Sequence, residues 1–215
     1  DEEDGRDAKY CYERGIEEFV EDLNHGKSTL HKVLAITGSK DNIEVDIAMQ
    51  YTDTYHENIV SFVNNVKTVD GGSHEVGFKT ALTRVFNDYA KSNGFIKGKE
   101  KSLEGSDVRE GLTAVISLKI PESLLQFEGQ TKGKLGNSEV RQITSSIFGE
   151  QLERYLIENP KQAKVIMAKV TLAANARIAA RKARETTRKS GMELTSLPGK
   201  LADCSSKNAE ECELY

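Results

Sequence analysis

The chain is poor in the residues that build disulfide scaffolds, metal centres and membrane spans. Only three of its 215 residues are cysteine, at Cys11, Cys204 and Cys212. An odd number with no paired framework excludes a disulfide scaffold and suits a reducing compartment. Cys204 and Cys212 have no third or fourth ligand nearby, so the thiols read as free and structural rather than zinc-bound. The four histidines, His25, His31, His56 and His74, show no metal spacing among themselves, and no metal site is expected. No apolar run approaches the roughly 20 residues of a membrane helix and no signal peptide opens the chain, so no membrane partner is expected. Proline is scarce, at Pro121, Pro160 and Pro198 only, and each marks a boundary. The sequence opens on Asp1 rather than Met, which predicts a piece of a longer protein.

What is present fits a soluble globular domain, with 30% charged and 37% hydrophobic residues. The net charge of −4 is unevenly spread. Residues 1–25 hold ten acids against Arg6, Lys9 and Arg14, whereas residues 177–189 hold six bases against Glu185. A local excess of this kind predicts an anionic partner near the C-terminal end rather than a generally nucleic-acid-coated protein.

Periodicity divides the chain into elements. Ile16, Phe19, Val20 and Leu23 give one apolar face to a helix over Glu13–His25. Ile43, Val45, Ile47, Met49 and Tyr51 alternate strictly, the pattern of a half-buried strand, and Ile59–Val66 is a second, more apolar one. Asp70-Gly71-Gly72-Ser73 breaks the chain, with Ser73 as N-cap of a helix whose stripe is Phe78, Leu82, Val85, Phe86 and Tyr89. Residues 91–110 are polar and glycine-bearing and read as a mobile loop. Leu112–Ile120 is a third strand closed by Pro121. After an irregular stretch over 121–137, Ser138 is expected to cap a helix to about Glu158, which Asn159-Pro160 interrupts. From Lys161 to Arg188 there is no glycine or proline, which predicts a helix about 40 Å long at 1.5 Å per residue. Pro198-Gly199 and the polar segment beyond read as a linker cut before its next domain. Strands and helices interleave around a small sheet, so the class is α/β or α+β, with no internal repeat.

Two segments carry the look of phosphate chemistry. Gly26-Lys27-Ser28-Thr29 is similar to the end of a P-loop, but the motif needs a glycine where Glu21 stands and a preceding strand, so it reads as a solvated turn. No Ser/His/Asp or Cys/His arrangement can be argued from spacing. His74, after the Gly-Gly-Ser turn, reads as structural, and His56 as exposed. The second segment is Gln130-Thr131-Lys132-Gly133-Lys134, in a glycine-flanked loop. Such a loop can extend an ammonium and a carboxamide from the body of a domain, chemistry suited to a terminal phosphate. On composition alone, a solvated basic loop is the alternative.

Gln130-Thr131-Lys132-x-Lys134-Leu135-Gly136 resembles the signature loop of type IIA topoisomerase B subunits. In the same order stand Tyr12-Glu13-x-Gly15-Ile16, Ser61-Phe62-Val63-Asn64-Asn65 and Asp70-Gly71-Gly72-Ser73-His74-Glu75. Arg109-Glu110-Gly111-Leu112-Thr113-Ala114, Phe127-Glu128-Gly129 and Leu197-Pro198-Gly199-Lys200-Leu201-Ala202-Asp203-Cys204 follow. The ordered set covers nearly the whole chain and is similar to the bacterial gyrase and topoisomerase IV pattern. Leu197–Cys204 leans toward gyrase, and Ile120–Leu125 with Gly133 toward topoisomerase IV.

The resemblance implies a transducer domain: an α+β, ribosomal-protein-S5-like βαβ fold with a long C-terminal helix. It implies an N-terminal link over 1–12, a core over 13–160, a basic helix over 161–190 and a linker over 191–215. It implies that Gln130, Thr131 and Lys132 meet the γ-phosphate of ATP, held with magnesium by a preceding domain, and that Lys132 acts in hydrolysis. The chain alone is then expected to be inactive. Implied partners are double-stranded DNA, the gyrase A subunit and a second B subunit, in a bacterial cytoplasm or an organelle. Arg177, Arg181, Arg184 and Arg188 recur at spacings of 4, 3 and 4 with Lys182 and Lys189 beside them, which offers DNA phosphates a contact face, or merely keeps the helix solvated. A stand-alone nucleic-acid-binding module using that helix is the rival outside the family.

Overall fold

The computed structural model describes residues 13–96 and 102–193, the last five as backbone only. Cys11, Cys204, Cys212, the Leu197–Cys204 motif, the N-terminal link and all of the C-terminal link but residues 191–193, which are helical, lie outside the described residues. The chain divides into two compact units, residues 1–174 and 175–215.

The first unit is built on a five-stranded sheet in the order β1-β2-β5-β3-β4. β2 (Ile43–Tyr51) lies where strict alternation predicts it and pairs antiparallel with β1 (Leu34–Lys40) and β5 (Leu112–Lys119). Alternation sends successive side chains to opposite faces. Ile43, Val45, Ile47, Met49 and Tyr51 enter the main core, and Ala48 enters a second cluster on the other face. β3 (Asn58–Val63) runs parallel to β5 and antiparallel to β4 (Val66–Lys67).

Periodicity misses β1 and places the end of the second strand too late, and both differences come from the same turn chemistry. Asp41 and Asn42 turn β1 into β2, with φ of 53° and 61°; Asn64 and Asn65 turn β3 into β4, with φ of 48° and 65°. Paired left-handed residues match the twist of a two-residue hairpin, and Asn and Asp tolerate that conformation.

Helix α1 (Ile16–Leu23) covers part of the second face, with Ile16, Phe19, Val20 and Leu23 against Ala48, Val115 and Phe62. The main face carries α2 (Ser73–Ser92) and α4 (Ser138–Glu158), packed on each other with the Phe78 and Phe148 rings 4.6 Å apart. The parallel pair β3 and β5, with α2 in the connection between them, forms the βαβ crossover that the resemblance implies. Neither Ser73 nor Ser138 caps its helix. Each is the first helical residue, after Gly72 and Asn137, and the Ser73 hydroxyl is buried without a partner among the described residues.

The expectation of a mobile loop over 91–110 is corrected for its described parts. α2 reaches Ser92, Phe95 stacks on Tyr89, and Leu103 is buried with its N–H and carbonyl both bound by the Asn87 side chain. α3 (Gly105–Arg109) follows, started by a capping box between Glu104 and Asp107. α5 runs from Pro160 to Glu193, longer at both ends than the sequence predicts. Proline is tolerated at a first helical position because that N–H would lack an intrahelical partner anyway. Ala163, Ile166, Met167, Val170 and Ala174 of α5 belong to the main core. In the second unit α5 carries the basic residues, and the side chains of residues 181–188 are exposed.

Candidate nucleotide-contacting loop

Residues 121–137 are more ordered than their irregular composition predicts. A single turn of 3-10 helix (Glu122–Leu124) leads into β6 (Phe127–Glu128), which pairs antiparallel with β7 (Lys134–Leu135). The base is closed by Asn137, almost wholly buried. Its carboxamide accepts the Gln126 N–H at 2.8 Å and donates to the Leu124 carbonyl at 2.6 Å. Leu135 drives the hairpin into the main core and Phe127 packs beside it. Gln130, Thr131 and Lys132 stand exposed at the tip.

The hairpin is seated on the turn before α2. The Asp70 N–H donates to the Gly133 carbonyl at 2.9 Å, the Leu135 N–H donates to the Gly71 carbonyl at 3.1 Å, and Gly72 bridges Leu135. Gly72 has φ of 146°, and a Cβ there would stand 2.6 Å from both N and O of Leu135, so only glycine permits the approach. A Cβ on Gly133 would meet the Asp70 carboxylate at 2.6 Å. By spacing alone Asp70-Gly71-Gly72 is a chain break and Asn137 part of a loop. The partners lie some 60 residues apart, so no local signal could have joined them.

The two lysines of the loop differ electrostatically. Lys134 pairs with Glu128 at 2.8 Å, and that hydrogen bond raises its pKa above the usual lysine value. Lys132 has no ion-pair or side-chain hydrogen-bond partner among the described residues. It also sits at φ 53°, a left-handed conformation that costs a side-chain-bearing residue on the order of 1–2 kcal/mol. Backbone strain of this kind concentrates at ligand-contacting positions. An ammonium and the Gln130 carboxamide, both solvent-facing and neither engaged by another described residue, suit an anion presented from outside the domain.

The other expected features fall out as follows. Gly26-Lys27-Ser28-Thr29 is an exposed turn in which Lys27 caps the carbonyl of Leu23 at 2.8 Å. His56 is exposed. His31 and His74 are buried, and desolvation lowers the pKa of each. Among the described residues no three His, Cys, Asp or Glu side chains could hold a metal ion, and no helix is long and apolar enough to cross a membrane. Arg177, Arg181, Arg184 and Arg188 share one face of α5, with Arg181 pairing Glu185 at 3.0 Å. At 3.6 residues per turn Lys182 lies about a quarter-turn or more away from them, so it flanks the stripe rather than extending it.

The family model for DNA gyrase B matches residues 15–186. The DNA gyrase B protein of Bacillus mycoides is 54% identical, over 99% of this chain and 54% of the relative. The corresponding protein of Clostridium acetobutylicum is 56% identical, over all of this chain and 34% of the relative. The chain thus spans about half the length of one relative and a third of the other. Among solved structures, the 43K ATPase domain of Thermus thermophilus gyrase B, in complex with an aminocoumarin, is 38% identical with a TM-score of 0.76. The match covers 85% of this chain and 49% of that one. Fold, ordered motifs and the extent of the match together place this chain in the DNA gyrase B family.

Proposed function

We propose that the chain is the transducer of an ATP-driven type IIA topoisomerase B subunit, and that its β6–β7 hairpin senses the terminal phosphate of ATP bound by another domain. The observation that carries this is the contrast at the hairpin tip. Lys132 has no ion-pair partner among the described residues and is strained and exposed on a hydrogen-bonded loop, while Lys134 is already paired with Glu128. ATP with magnesium supplies a dense negative charge, and the donors here are of the type that receives it. Lys132 holds a γ-phosphate as a point charge, Gln130 donates beside it, and Thr131 shares the tip.

While that contact lasts, the domain is tied to the nucleotide. When Lys132 loses its charge partner on phosphate release, the domain is free to rotate. A ligand shifts such an equilibrium only by its differential affinity for the two states, and the Lys132 contact provides the difference. In this reading α5 bears the movement toward double-stranded DNA, with an A subunit and a second B subunit completing the machine. The relatives named above are gyrase proteins, which supports supercoiling over decatenation.

The test is Lys132→Ala in the full-length protein assembled with its A subunit. Loss of one charge-assisted contact to a developing phosphate charge is expected to lower ATP turnover about a hundredfold, near 3 kcal/mol. The circular dichroism spectrum should be unchanged, because the side chain is exposed and has no ion-pair or hydrogen-bond partner among the described residues. Wild-type turnover in this variant would exclude the loop as the phosphate sensor.

A further inference from the structure

The Arg109-Glu110-Gly111 motif has no part in the hairpin site, yet it builds a second well-defined one around a lysine of α5. The Lys169 side chain is only 11% exposed. Its ammonium donates to the Thr54 carbonyl at 2.9 Å and the Asp53 carbonyl at 3.3 Å, faces the Glu110 carboxylate at 3.6 Å, and lies 4.7 Å from the centre of the Tyr55 ring. Three donors and a compact charge are thus met by two carbonyls, a carboxylate and an aromatic face.

Each residue of the motif serves this socket. Arg109 binds Glu57 at 2.7 Å, which fixes the far end of the loop that offers the carbonyls. Glu110 supplies the counter-charge. Gly111 has φ of 73°, and a Cβ there would lie 2.5 Å from the Thr54 carbonyl and 2.7 Å from that of Thr52, so any side chain would push the loop off the lysine. The Thr52 N–H donates to the Gly111 carbonyl at 2.9 Å, which locks the two segments together. The loop joins β2 to β3, and β5 starts at Leu112, so the socket is built from the ends of three adjacent strands.

Packing does not demand a charge here, since a well-packed apolar residue in place of a buried ion pair is often neutral or stabilising. What the ammonium adds is direction. The neighbouring core contacts of α5 are in part small residues, Ala163, Ala173 and Ala174, which resist sliding or rotation of a helix only weakly. Contacts from two chain segments converging on one nitrogen fix both, and register is the best-attested use of a buried polar contact.

We infer that Lys169 is a positioning residue that clamps α5 to the strand ends, so that movement of the sheet passes into the helix instead of being lost at the joint. The inference rests on the transducer reading above. Its test is Lys169→Met in the full-length protein with its A subunit, alongside the milder Glu110→Gln. ATP turnover is expected within about twofold of wild type, while supercoils introduced per ATP fall about tenfold, inside the usual range of coupling free energies. Glu110→Gln should show a smaller loss, and the double variant no more than Lys169→Met alone, because both remove one interaction. Wild-type supercoiling per ATP, or turnover and supercoiling falling together with the melting temperature, would overturn the inference.

A second measurement is independent of ATP. Amide hydrogen exchange across residues 166–174 should quicken in Lys169→Met, and unchanged exchange would show that the socket does not hold the helix. If the exchange quickens but Lys132→Ala leaves ATP turnover intact, the phosphate-sensor reading of the hairpin fails while the socket's hold on α5 stands.

Discussion

His74 is the residue whose chemistry depends most on its surroundings. Its ring is fully buried, with Nε2 3.2 Å from the Thr68 hydroxyl, which in turn meets the Ser61 hydroxyl at 2.6 Å. Ser61 donates to Glu75 at 2.7 Å, so a polar chain runs beneath the turn that seats the hairpin. Desolvation pushes the His74 pKa down to about 4; Glu75 opposes that shift and Lys79 adds to it. Between the unfolded value near 6.5 and about 4, the unfolded chain takes up a proton that the native ring refuses. Stability therefore falls as pH drops through that window and levels off below it, for a loss on the order of 3 kcal/mol. His74→Gln should remove this component. In denaturant melts from about pH 7 to about pH 4.5, the stability gap between variant and wild type is expected to shift in the variant's favour as the pH falls. A gap that stays constant would mean that His74 accepts its proton in the folded state.

At the scale of elements, close approach sets the geometry. Helices α2 and α4 meet at Gly77, where a Cβ would stand 2.4 Å from the Arg141 carbonyl oxygen. Alanine is the better helix former by about 1 kcal/mol. The obstruction is backbone, however, and forced over-packing typically costs about 1–3 kcal/mol. Gly77→Ala is therefore expected to lower unfolding stability in equilibrium melts. Gly149→Ala on the facing helix is the control, since there the nearest atom is the flexible end of Arg84 and it should be close to neutral. Equal effects at the two sites would show that helix propensity, not the interhelical distance, decides. Other elements needed no such contacts to be read. The stripe from Phe78 to Tyr89 and the alternation from Ile43 to Tyr51 each carry their own period.

For the whole molecule the matter at issue is charge. The arginine stripe of α5 lies in the second unit, its members exposed at 181, 184 and 188, with Arg181 already bound to Glu185. If the stripe meets duplex phosphates in the full-length protein, each lost contact lowers the slope of log affinity against log salt by about 0.9. Arg181→Gln with Arg184→Gln is expected to flatten that slope by about one to two units, equally for unrelated DNA sequences because phosphates carry no base identity. ATP turnover without DNA should be unchanged. Parallel lines for variant and wild type, titrated at three salt concentrations, would return this face to the solvent.

Much of the fold was legible in the sequence because helices and buried strands write their period into consecutive residues. β2, β5, α2, α4 and α5 are found this way, whereas local glycines and charge leave Gln130, Thr131 and Lys132 open to a solvated loop, and it is the resemblance to the topoisomerase signature loop that singles them out. The β1–β2 and β3–β4 hairpins escape because Asp41-Asn42 and Asn64-Asn65 signal a turn only through backbone conformation, without the glycine that usually marks it. Only the tertiary structure decided which loop lysine is paired, since the contact of Lys134 with Glu128 requires β6 and β7 to register. It alone joined Asp70-Gly71-Gly72 to Gly133 and Leu135, and Glu110 to Lys169. These contacts rest on hydrogen bonds and charges between segments about 60 residues apart. Sequence spacing determines who lies on a common face of one element, and packing determines which faces meet.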